Sequence, residues 1–257
     1  MNPPLEPGGP QGRAKLSVIL KISIIILIVE IMVMFILEMI PYKLGMGLEA
    51  LADAILLVLF SSPFIYVFVV RPYVVANEKA LARISYLAYH DALTQLPNRR
   101  LFTRHLERCL ASCERHGNYS ALLLIDLDGF KNINDQYGHD AGDALLIEMS
   151  RRLQQITRAE DMASRHGGDE FLLLIQQLAN DASAARRKVE LVAKKLQQLM
   201  SEPFVYKGHN MQINASIGIR ILGPENPGVE EAIRDADMSM YQAKKSGAAD
   251  IFIFEGK

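Results

Sequence analysis

The stretch ALLLIDLDGF, residues 121–130, decides the fold. An apolar run of this length, closed by acid and glycine, is the pattern of a central strand covered on both faces. Side chains two apart on a strand share a side, so Asp126 and Asp128 are expected to project together from its end, unless the chain has already turned. Further on, HGGDEF (166–171) reads as the turn of a hairpin running from Met162 to Ile175, in which paired glycines supply positive φ values. Asp169 and Glu170 follow at once, where phosphates of a ligand could approach the backbone closely. Carboxylates converging from two neighbouring strands make an oxygen-rich site suited to Mg²⁺. A single aspartate here would read as a solvated turn acid. The combination with the glycines and with Lys131, Asn134 and Asp143 reads as a functional site.

Outward from this pair the pattern alternates helix and strand. Helices are expected over 96–114 after Pro97, over 141–156, over 182–200 and over 229–246. A strand pair is expected over 204–207 and 210–221 around a turn at Gly208, with a closing strand over 251–254. That alternation makes the fold class α/β.

The first ninety residues are of another kind. Leu16 to Ile40 and Leu48 to Val75 are each apolar over the roughly 20 residues a helix needs to cross hydrocarbon, so two transmembrane helices are expected. The first run outlasts the apolar region of a signal peptide, and no small-residue cleavage site follows Ile40. Arg13, Lys15 and Lys21 precede the first span and Arg71, Lys79 and Arg83 follow the second, whereas the connection carries only Lys43. That bias puts both termini in the cytoplasm and leaves an external loop too short to fold as a sensor. Glu30 and Glu38 fall in the first span, eight apart and so on nearly one face, and Asp53 falls near the outer end of the second. Ionisable groups at that depth mark function unless Glu38 and Asp53 sit at the interface and Glu30 pairs within a helix dimer. Beyond the second span Val74, Leu81 and Ala88 repeat every seven residues, with Asn77 and Ile84 at the offset of three. This is a short seam for a dimerising signalling helix or an amphipathic connector. The expected organisation is a tail over 1–15, flexible from Pro3 to Gly12, membrane helices over 16–75, a linker helix over 76–90 and a cytoplasmic domain over 91–257.

The whole chain has 257 residues, 50% hydrophobic, with 28 basic and 29 acidic side chains. The first ninety residues hold 7 basic and 6 acidic groups, so the remainder is mildly acidic, with 21 and 23. Such a balance argues against a nucleic-acid partner held through counterion release. Two cysteines cannot staple a chain of this size, and Cys109 and Cys113, one helical turn apart, read as reduced structural thiols.

Five ordered blocks carry a family resemblance: DALTQLPNRR (91–100), IDLDGFKNINDQYGHDAGD (125–143), RAEDMASRHGGDEF (158–171) with its five-letter signature at 167–171, ASIGI (215–219) and DADMSMYQAKKSG (235–247). From roughly Asp91 to Phe254 the chain resembles a GGDEF-domain diguanylate cyclase. The resemblance implies an α/β fold related to nucleotidyl cyclases and polymerase palm domains, with helices around a mixed central sheet. It also implies a reaction, condensation of two GTP into cyclic di-GMP and two pyrophosphates across a homodimer, each 3′-hydroxyl attacking the α-phosphorus of the other GTP. Asp126, the Leu127 carbonyl, Asp169 and Glu170 match the positions that hold two Mg²⁺ ions, for which Mn²⁺ can substitute, and Asp128 is thereby demoted as a ligand. Asp169 also matches the proposed general base, Lys131 the cation stabilising the transition state, Asn134 and Asp143 the guanine readers, and Lys244 a phosphate contact. Gly168 and His139 match substrate-side positions. Arg158 and Asp161 form the RxxD pattern of an inhibitory product site. One departure stands out: Ala248 occupies the place of an arginine that normally helps Lys244, which puts the level of activity in doubt, with Lys245 as a substitute. The alternative is a catalytically weak receptor that binds cyclic di-GMP through Arg158 and Asp161. No phosphodiesterase domain is expected after the closing strand, and the expected location is a bacterial inner membrane, in contact with membrane lipid.

Overall fold

In a computed structural model, residues 10–39, 45–225, 227–247 and 250–255 are described, and the chain divides into two compact units, Met1–Ile84 and Ser85–Lys257.

In the first unit α1 (Pro10–Glu38) and α2 (Met46–Ile65) meet through Val29, Val33 and Ser61, which are buried while the surrounding Leu, Ile and Phe side chains stay exposed. Such an inverted surface suits a lipid environment, and both helices are long and apolar enough to cross a membrane. The helix α1 starts at Pro10, so residues 10–12, expected to be flexible, are helical; residues 1–9 and most of the connecting loop lie outside the described residues. After α2 the helix widens into one π turn over Tyr66–Val70 before continuing as α3 (Arg71–Tyr89). Pro72 follows the π turn and has no N–H to give to the carbonyl four residues back, a recognised cause of such bulges. Glu30 and Glu38 are exposed on α1, and Asp53 is half-buried on α2. The seam residues Val74, Leu81 and Ala88 are exposed along α3.

In the second unit β1 (Tyr119–Asp128) is the middle strand of a five-stranded sheet of order β2-β3-β1-β6-β7, with β2 (Met162–Gly167), β3 (Glu170–Ala179), β6 (Asn214–Leu222) and β7 (Ile251–Ile253). All neighbours are antiparallel except β6 and β7. The period of two along β1 sorts its side chains. Leu123, Ile125 and Leu127 pack with α6 (His139–Ile156) and α7 (Ala182–Ser201); Leu122 and Leu124 pack with α4 (Arg99–His116) and α8 (Val229–Gly247). Asp126 therefore belongs to the face covered by α4 and α8. Cys109 and Cys113 are buried thiols of that face, and the Cys113 thiol donates to Ser120 Oγ at 3.4 Å.

Three expectations are corrected. The stretch 210–221 is divided: β4 (Phe204–Tyr206) and β5 (His209–Met211) form a separate two-stranded ribbon, and β6 joins the main sheet. Its side chains Ala215, Ile217 and Ile219 have a core to cover, which the short ribbon does not offer. The first helix of the domain starts at Arg99, because Asn98 caps it by accepting from Leu101 N–H at 3.2 Å. Of the two turn glycines only Gly168 takes positive φ, +53°. A short helix that the pattern did not announce, α5 (Phe130–Tyr137), turns away directly after β1.

Candidate active site

The site is assembled where β1 ends. In the antiparallel register Asp126 lies opposite Glu170 on β3 and opposite Ser216 on β6, so sheet geometry alone sets the two acids side by side. The Leu127 N–H donates to the Asp169 carbonyl at 3.3 Å, which stitches the strand end to the glycine turn. Asp128 shares the side of Asp126, as its spacing predicts, and accepts from Ser216 Oγ at 2.8 Å.

Asp126 is only 5% exposed, and Lys244 of α8 reaches it, Nζ to Oδ1, at 2.7 Å. Burial pushes the Asp126 carboxyl upward, as do the charges of Asp169 and Asp128, and Lys244 pulls it back. Burial likewise raises Glu170, helped by Asp126, Asp237 and Asp169. Lys244 is held above its ordinary value; burial opposes this, and the Asp126 hydrogen bond and the surrounding carboxylates outweigh it. These acids would gain from a shared cation. Among the described residues no three His, Cys, Asp or Glu side chains enclose an ion by themselves. That donor set fits Mg²⁺, which keeps several waters and takes its remaining oxygens from substrate phosphates.

The glycine turn has its own clamp. Arg165 donates through Nε and Nη2 to the Gly168 carbonyl at 3.0 and 2.8 Å, and through Nη1 to Asp91 Oδ1 at 3.0 Å. Burial raises the Asp91 carboxyl, but hydrogen bonds from Thr94 and Arg165 bring the balance below the usual range. Sequence reasoning missed this pair; the signal was an arginine two residues before the glycine pair. It also missed Asp237, whose charge acts on Glu170 from α8.

The remaining residues of the site fall on α5 and α6. Lys131 is exposed in the first turn of α5. Asn134 is half-buried and packs on Gly142, where any Cβ would collide with its carboxamide, and Asp143 is exposed on α6 next to that contact. The structure therefore brings the two expected guanine readers close through a glycine. His139 lines a different cavity, of about 600 Å³, with Tyr137, Asp140, Tyr206, Lys207 and His209.

Arg158 and Asp161 sit at the rim of a cavity of about 460 Å³, which Lys188, Leu191 and Lys195 of α7 also line. Both Asp161 oxygens accept backbone hydrogen bonds, from Arg158 N–H at 3.1 Å and Gln176 N–H at 2.9 Å. Ala248 lies outside the described residues. Lys245, its suggested substitute, stacks on Tyr241, with Nζ 4.4 Å from the ring centroid.

The family model for the diguanylate cyclase GGDEF domain matches residues 88–250, well over half of the chain. The chain belongs to the GGDEF diguanylate cyclase family. It is 42% identical over 169 residues to the bifunctional diguanylate cyclase/cyclic di-GMP phosphodiesterase MucR of Pseudomonas aeruginosa, a match covering 66% of this chain and 24% of that protein. To the diguanylate cyclase TpbB of the same species it is 39% identical over 166 residues, 64% of this chain and 37% of TpbB. It thus spans well under half the length of these relatives. The solved GGDEF domain of TpbB superposes with a TM-score of 0.59 at 35% identity, covering 65% of this chain and 94% of that domain. The GGDEF domain of DgcB from Caulobacter crescentus, solved in complex with c-di-GMP, gives 0.58 at 26% identity, covering 66% and 97%.

Proposed function

We propose that this chain is a membrane-anchored diguanylate cyclase that condenses two GTP into cyclic di-GMP and releases two pyrophosphates. The observation that carries the reading is the buried Asp126 carboxylate, set opposite Glu170 and held by Lys244 beside the Asp169 turn.

Each domain binds one GTP, and two domains face each other as a homodimer. The 3′-oxygen of one GTP bonds to the α-phosphorus of the other, the bond to the β-phosphate oxygen breaks, and pyrophosphate leaves. Asp126, the Leu127 carbonyl, Asp169 and Glu170 would hold two Mg²⁺ ions, or Mn²⁺, which would supply acidification of the attacking hydroxyl and neutralisation of charge on the phosphates. Asp169 takes the hydroxyl proton. Lys131 offsets charge developing on the transferring phosphoryl group, and Lys244 holds the triphosphate. Gly168 leaves the turn backbone open to the phosphates, whereas His139, which lines the separate cavity beside the β4–β5 ribbon, takes no part in this reading. Asn134 both donates to and accepts from guanine, while Asp143 accepts from its N1 and N2 hydrogens. Arg158 forks onto a phosphate or guanine edge of the product, and Asp161, fixed by its backbone bonds, keeps lone pairs for guanine. Product inhibition follows. The two apolar helices anchor the domain in the inner membrane of a bacterium, with the catalytic unit in the cytoplasm.

Incubation of the full chain in detergent with GTP and Mg²⁺, using Arg158→Ala to relieve inhibition, is expected to yield cyclic di-GMP. Absence of product at every protein concentration would overturn the reading in favour of a cyclic di-GMP receptor.

A further inference from the structure

The strongest ion pair at the candidate site joins two residues that the reaction assigns to different ligands. Lys244 belongs to the phosphate and Asp126 to the cation, yet Lys244 Nζ lies 2.7 Å from Asp126 Oδ1. We infer that Lys244 is a built-in counter-ion that occupies Asp126 in the ion-free protein, gives the carboxylate up to a divalent cation, and reaches the phosphates only once released. The inference rests on the metal-dependent reading above and extends it to how metal and nucleotide binding are linked.

The fold makes the contact direct. The helix α8 lies so close to β6 that a Cβ at Gly218 would collide with the Ala236 carbonyl and the Met240 N–H. Asp237, Tyr241 and Lys244, at i, i+4 and i+7, form one stripe of that helix. One end of the stripe acts on Glu170 and the other reaches Asp126. Asp126 is 5% exposed, so an ionised carboxylate there is stable only with a partner, and Lys244 supplies the positive charge. The Lys244 side chain is itself 40% exposed, which leaves it room to swing outward when its partner is taken. An ammonium and a divalent cation on the same carboxylate repel each other, so a cation that binds Asp126 drives Lys244 off it and toward the phosphates. Metal loading and phosphate capture by Lys244 therefore occur together, and each favours the other by linkage.

Mn²⁺ alone, titrated without nucleotide into the full chain in detergent and followed by electron paramagnetic resonance, reads the competition. Lys244→Met is expected to bind Mn²⁺ about tenfold more tightly than wild type, as expected when a charge-assisted hydrogen bond no longer competes. Lys245→Met removes the same charge one residue away, from a lysine stacked on Tyr241, and is expected to change the affinity less than twofold. Equal tightening by both variants would overturn the inference, since loss of charge alone would then explain it, and so would unchanged affinity in Lys244→Met. A second readout needs no variant at position 244. Reductive methylation of Lys244, measured by mass spectrometry, is expected to rise severalfold when Mg²⁺ is added to wild type and not in Asp126→Asn. Labelling that ignores Mg²⁺ while Mn²⁺ still binds overturns the counter-ion role and leaves the cyclase reading intact. Absence of any metal binding in wild type and Lys244→Met overturns both.

Discussion

The end of β1 and the Arg158 pocket both pair a basic side chain with an aspartate, and they treat charge in opposite ways. At the strand end Asp126 is buried, carries the cost of desolvation and is matched to a mobile lysine. At the pocket Asp161 is fixed by two backbone N–H groups and the basic partner, Arg158, lies in the open. A buried carboxylate suits a small hard cation that strips away little water. A fixed carboxylate with an exposed guanidinium suits a large planar ligand met by an adaptable fork. The contrast teaches that the sequence distance between acid and base says less than which of the two the fold immobilises.

The largest effect should come from removing the buried charge. Asp126→Asn is expected to lower turnover on the order of a thousandfold, because this carboxylate would hold the ions that offset charge on the transferring phosphoryl group. Binding of cyclic di-GMP at Arg158, followed by calorimetry, should persist; loss of both would mean that the two places are not separate. A smaller effect is expected from Arg158→Ala. Progress curves should lose their early plateau, with the inhibition constant for cyclic di-GMP raised about tenfold or more, the scale of one charge-assisted contact. An unchanged plateau would remove the pocket from product control.

The smallest effect concerns the frame of that pocket. Glu148 bonds Arg151 and Arg152 at 2.7 and 2.8 Å, and Arg152 in turn donates to the carbonyls of Leu199 and Met200 at the end of α7. Arg151 first, then Arg152, hold the Glu148 carboxyl down at about 2 against some burial. A depressed acid stabilises the fold above its unfolded value, so this contribution is complete above about pH 4.5 and fades as pH falls toward about 2. Glu148→Gln should therefore cost about 1 kcal/mol at neutral pH, the scale of an ion pair screened by solvent on its Arg151 side, and almost nothing near pH 2, as read from urea unfolding midpoints across pH. The same loss at both extremes would show that shape, and not charge, holds the α6–α7 frame.

Much of this was legible beforehand. The run ALLLIDLD ends the central strand, the hairpin at 166–171 borders it, and the five ordered blocks belong to the family found. The ribbon at 204–211 was misjudged because one apolar stretch served two sheets, and only competition for the core decides where it divides. Arg165 was overlooked because its carboxylate partner, Asp91, lies 74 residues away in the chain and only the fold brings it to the glycine turn.

By itself the sequence determined which residues are present at the strand end and which side of β1 Asp126 would take, since a period of two is a local property of the backbone. It also determined that two apolar helices precede the second unit, because hydrocarbon sets a minimum run length. Only the tertiary structure decided that Asp126 is buried, that Glu170 stands opposite it and that Lys244 neutralises it. Those facts depend on strand register and on how closely α8 packs against β6, and both are set by contacts between segments far apart in the chain.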